Sequence, residues 1–98
     1  MTEALTLDAF SPHVGTGFRL KLDDAALDLV LEDATAGVVI EGPRGTSSSF
    51  SLTFRGPAQP ILPQRIYHLE HPALDQLDIF LVPVGADAAG VTYEAVFA

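Results

Sequence analysis

Hydrophobic side chains recur at every second residue along much of this chain, a spacing that fits strands and cannot form one face of a helix. Phe50, Leu52 and Phe54 alternate with Ser51, Thr53 and Arg55, and Phe18, Leu20 and Leu22 alternate with Arg19 and Lys21. Leu27, Leu29 and Leu31 alternate with Asp28, Val30 and Glu32. Leucine favours helices, but here the period of two decides for a strand. Asp23-Asp24 supplies turn chemistry between the two leucine-rich segments. Val38-Val39-Ile40 reads as a short β-branched strand. Glu41 to Ser49, with two Gly, one Pro and small hydroxyls, reads as a loop and is expected to be the most mobile one.

The same reading extends to both ends. Thr6 as N-cap, Asp8 in the first turn and the stripe Leu7, Phe10, Val14 predict a short helix, stopped by Pro12, Gly15 and Gly17. That helix should plug a sheet edge or barrel end. Pro57, Pro60 and Pro63 fall within seven residues. They remove too many N–H donors for a central strand, so an extended crossover is expected. A three-stranded meander follows over 65–97, with turns at His71 to Gln76 and Gly85 to Gly90. Its middle strand, Leu77 to Val84, is apolar on both sides and should be central and covered on both faces. The prediction is a mainly β fold: one antiparallel β-barrel or sandwich of about seven short strands with a short N-terminal helix. At 98 residues the chain is expected to form one domain over 1–98. Phe54, Leu69, Ile79, Leu81 and Phe97 should lie in its core.

Composition narrows the function more by exclusion than by indication. Five Lys and Arg against thirteen Asp and Glu give a net charge of −8, so nucleic acid and anionic membrane surfaces are not expected partners. The absence of Cys excludes disulfides, thiolate metal sites and cysteine nucleophiles. No apolar run approaches the ~18 residues of a membrane-spanning helix. The first fifteen residues hold acidic side chains and no Lys or Arg, unlike a signal peptide, so a cytoplasmic location is expected. His68 and His71 are three apart, which in a strand sends them to opposite faces, and His13 is remote; no metal and no other cofactor are expected. The Ser47-Ser48-Ser49 run lacks both a Gly-x-Ser-x-Gly context and a base. Neither glycine-rich stretch is long enough for a phosphate loop. No catalytic constellation emerges.

Five stretches carry a further signal: Phe54-Arg55-Gly56-Pro57, Leu62-Pro63-Gln64, Tyr67-His68-Leu69-Glu70-His71-Pro72, Phe80-Leu81-Val82-Pro83-Val84-Gly85 and Tyr93-Glu94-Ala95-Val96-Phe97. Together they resemble a family of small bacterial proteins known only as a domain of unknown function. The resemblance is strongest over 50–97 and extends to Leu7, Phe10, Pro12, His13 and Gly15 near the start. It departs at Arg65 and Asp75, where the family often has Gly, so the turn after Leu74 is expected to differ in backbone conformation. Such proteins are often encoded near phage-tail-collar-like fibre proteins. The resemblance therefore implies a non-enzymatic accessory or interaction module, an assembly or binding partner of such a fibre protein, and offers no catalytic residue to carry over.

The residues suggest where a partner could sit. Arg55 ends a strand before Gly56-Pro57, which should hold its guanidinium at the sheet rim, where Glu70 could accept it bidentately. Glu70 and Glu94 lie among strand residues, and Arg55 or Arg65 are the cations nearest them. Arg55, Glu70, Glu94, Tyr67 and His68 form the candidate rim, either for partner binding or as structural clamps. The hydroxyls of Tyr67 and Tyr93 are expected to reach the surface. The alternative is a small-ligand-binding domain or minor enzyme with a pocket at a barrel mouth lined by Tyr67, His68 and Glu70.

Overall fold

The computed structural model describes residues 7–43, 45–59 and 61–97, with the backbone alone described at 38–40 and 46–48. A four-residue helix, α1 (Leu7–Phe10), runs into a 3₁₀ turn (Ser11–His13). Six strands follow: β1 (Gly17–Lys21), β2 (Ala26–Gly42), β3 (Gly45–Gly56), β4 (Arg65–His71), β5 (Asp75–Asp87) and β6 (Gly90–Phe97). All pairings are antiparallel, and the order β1-β2-β3-β6-β5-β4 returns to β1 through Arg19↔Glu70 and Lys21↔His68. The fold is mainly β, and its one sheet closes into a barrel.

Alternation along each strand fills the interior. Phe18 and Leu20 from β1, Leu29 and Leu31 from β2, Leu52 and Phe54 from β3, and Leu69, Ile79 and Leu81 from the meander are all buried. Phe97, also expected inside, packs against this core while remaining partly exposed. Truncating one of the fully buried Leu or Phe side chains to Ala is worth about 2–5 kcal/mol.

Both barrel ends are stoppered. At one, α1 lowers the fully buried Phe10 against Phe50 and Phe97, with ring centroids 6.1 and 5.9 Å away. This is the plug that the stripe Leu7, Phe10, Val14 foretold; Thr6, its expected cap, lies outside the described residues. At the other end the proline-rich crossover between β3 and β4 buries Leu62.

Three expectations are corrected. There are six strands among the described residues, because the segments expected at Leu27 to Leu31 and Val38 to Ile40 are one strand, β2, carried through irregularities at Leu31/Asp33 and Ala36/Val39. The loop expected at Glu41 to Ser49 is a hairpin in which Gly42 pairs with Gly45, Glu41 with Thr46, Ile40 with Ser47 and Val39 with Ser48. β5 is the middle strand of the meander, as its apolar run suggested, but only one of its faces is covered. Ile79 and Leu81 point inward, whereas Phe80 is half exposed and Val84 lies open.

Candidate partner-binding surfaces

The five rim candidates do not converge. Tyr67 has the inward parity of β4 and is buried, while His68 and Glu70 occupy outward-facing positions of the same strand. His68 pairs through Nδ1 with the Asp78 carboxylate on β5. Glu70 lies 3.6 Å from the Lys21 ammonium of β1 and accepts a long bond from Gln76. The expected Arg55–Glu70 clamp is not formed: Arg55 pairs with Glu32 at 3.0 Å and reaches Asp87 at 3.6 Å. Glu94 is half-buried opposite Thr53 and Val82 and makes no ion pair among the described residues. Arg65 stands 5.7 Å over the ring of Tyr67. These exposed pairs hold strands in register and contribute little to stability each.

The tyrosine hydroxyls turn inward. Tyr93 accepts the Leu62 backbone N–H at 3.0 Å, and the Tyr67 hydroxyl donates to the Pro63 carbonyl at 2.6 Å. A proline-rich crossover cannot satisfy its backbone through a ladder, so the two tyrosines do it from the core side. Burial raises the Tyr67 pKa above its usual value.

His71 is the buried polar side chain at the plugged end, 8% exposed. Its Nδ1 accepts the Ala73 N–H at 3.0 Å, which fixes the proton of the neutral ring on Nε2, 3.0 Å from Thr16 Oγ1. The Thr16 hydroxyl in turn donates to the His13 carbonyl at 2.6 Å. The His13 ring lies 4.6 Å from that of His71, centroid to centroid, and the Phe18 ring lies 4.5 Å from that of His71. Burial first, and His13 second, hold the His71 pKa below the ordinary histidine value. This pairing escaped the sequence reading, which set His13 apart; its signal was the inward parity of His71, shared with Tyr67 and Leu69. Among the described residues no group of three or more His, Cys, Asp or Glu could hold a metal ion.

Two surfaces stand out instead. The first is an arm. β1 covers β2 only as far as Val30, and β6 covers β3 only as far as Phe50, so the β2–β3 hairpin continues alone past the plugged end. The molecule is accordingly elongated, 45 Å along its longest axis against 31 and 23 Å. Beyond Glu32 the outer edge of β2 has no strand partner among the described residues. The second is an apolar stripe on the barrel wall. Ile66 and Phe80 are directly opposed on β4 and β5, 63% and 50% exposed, and Val96 on β6 is 68% exposed. Neither was foreseen: the loop-like composition hid the arm, and two-sided burial was assumed for β5.

An open cleft of about 890 Å³ lies beside the plugged end, lined by Phe18, Arg19, Asp28, Glu70, His71 and Gln76 among others. Its His71 is already bonded through both ring nitrogens, and Arg19 lies 3.6 Å from Asp28. Tyr67 and His68 do not line it.

A family model described as a domain of unknown function (DUF6916) matches residues 5–97. No curated protein and no solved structure matches the chain. No helix among the described residues is long and apolar enough to cross a membrane.

Proposed function

The chain belongs to the DUF6916 family, whose description names no activity, and from that premise we propose that it works by binding another protein. The observation that carries this reading is the arm. An isolated two-stranded ribbon is marginally stable in water at best, and an open edge presents unpaired N–H and C=O groups. Here such a ribbon extends past the barrel and bears the run Val38-Val39-Ile40, whereas within the barrel every strand is paired on both sides over part of its length. A partner strand added to the outer edge of β2 would satisfy the backbone and complete a three-stranded sheet. The partner we propose is a phage-tail-collar-like fibre protein encoded nearby, and the role is assembly or attachment, without catalysis.

Co-expression with such a neighbouring fibre protein, followed by size-exclusion chromatography, tests the idea. The intact protein should co-elute with the fibre protein, and a variant in which residues 38–47 are replaced by an Asn-Gly turn should not. Co-elution that survives loss of the arm would overturn the strand-addition reading. Turnover of a small molecule with no co-elution would replace it by the pocket reading.

A further inference from the structure

We infer that the outer wall formed by Ile66, Phe80, Val82 and Val96 docks a cationic, apolar segment of a partner protein. This rests on the reading that the protein is a binding module, and adds to it a second surface with a stated chemistry. Ile66 and Phe80 face each other across β4 and β5, and Val82, half-buried, follows two residues further along the same outward face. Val82 is paired with Glu94, and the next outward residue of β6 after Glu94 is the exposed Val96. A strand's outward face normally alternates polar residues against the buried set, as β3 does with Ser51, Thr53 and Arg55. Exposed apolar side chains on three neighbouring strands mark an interaction site.

Charge selects the occupant. The strip is bordered on one side by Asp78, which is paired with His68, and on the other by Glu94, which makes no ion pair among the described residues. The outward positions of β4, β5 and β6 alongside it (His68, Glu70, Asp78, Thr92, Glu94) include no Lys or Arg, and Arg65, beside Ile66 at the start of β4, is drawn over the ring of Tyr67. Elsewhere on the wall Arg19, Lys21 and Arg55 are each engaged by a carboxylate. A second copy of this chain fits poorly, since a two-fold contact would bring the acidic borders of two molecules of charge −8 together. Four partly exposed side chains also fall well short of the ~800 Å² per partner of a stable standard interface. An extended or helical segment with two or three apolar anchors and flanking Lys or Arg matches both the size and the sign.

The test uses two synthetic twelve-residue peptides with the same three apolar side chains, one flanked by Lys and the other by Glu. Both are titrated into the isotopically labelled full chain and followed by amide NMR. The Lys peptide should shift the amides of Ile66, Phe80, Val82, Glu94 and Val96, and the Glu peptide should not. Phe80→Ser should weaken the Lys peptide at least tenfold, and Glu94→Gln about threefold with a flatter salt dependence. Both side chains face outward, so thermal melts should certify that the variants fold. The arm-shortened variant should bind the Lys peptide as the intact chain does, which separates this site from strand addition to the arm. Equal binding of both peptides, no binding of either, or shifts confined to other residues would overturn the inference. So would a concentration-dependent dimer, or adsorption to phosphatidylglycerol vesicles, that Phe80→Ser abolishes.

Discussion

His71 works as a neutral ring, and its stabilising bonds have a definite pH range. Protonation would place an N–H at Nδ1 directly against the Ala73 N–H, beside the ring of His13. Its native pKa lies below the unfolded value of about 6.5, so its contribution is complete above that pH and is lost as pH falls through the native value. Denaturant titrations from pH 7.5 to pH 5 should show falling stability, with a flatter profile in His71→Asn, which keeps an acceptor for Ala73. Tyr93→Phe should cost about 1–3 kcal/mol in the same assay, because the Leu62 N–H is left buried without an acceptor. Asp75 has a φ of 59°, the left-handed conformation that Gly adopts freely and other residues adopt at a cost. Asp75→Gly should therefore stabilise by about 0.5–1 kcal/mol, read from the denaturant midpoint. The roles of His71 and Tyr93 were not legible from the chain alone. Both depend on what the closed barrel brings alongside, Thr16 and His13 for His71 and the crossover for Tyr93, and parity along one strand does not identify partners on another.

Strands with unbroken alternation were legible, and those with bulges were not. β1, β3, β4 and β6 could be read from the period of two alone, together with the order of the meander. β2 was split because Glu32-Asp33-Ala34-Thr35-Ala36-Gly37 offers small and polar residues where the register shifts, so its periodicity lapses while its pairing continues. The β3 start was lost because Gly, Pro and Ser serve a tight hairpin as well as a loop. The turn between β5 and β6 shows how narrowly one such element is specified. Asp87 accepts the backbone N–H groups of Ala89 and Gly90, and Gly90 has a φ of 149°. A Cβ at Gly90 would lie 2.2 Å from the Gly56 carbonyl oxygen of β3, a backbone atom with no freedom to move aside. Gly90→Ala should cost more than about 2 kcal/mol and lower the melting temperature accordingly.

At the scale of the whole molecule, barrel and arm should be energetically separable, because the core lies within the barrel and its two stoppers. Replacing residues 38–47 by a two-residue turn should change stability by less than about 1 kcal/mol, or roughly 4–8 °C in a thermal melt. A larger loss would mean that the arm braces the barrel. The strand order carries one more consequence. β6 sits between β3 and β5 in the wall, yet it is translated after both. Until residues 90–97 have left the ribosome, β3 and β5 each hold an open edge beside apolar side chains. At ~5–20 residues per second, synthesis of that eight-residue strand takes on the order of a second. A pause there leaves a nascent chain with two unzipped seams, so the pace of translation over the last strand governs how long chaperones must shield it from its neighbours on the polysome.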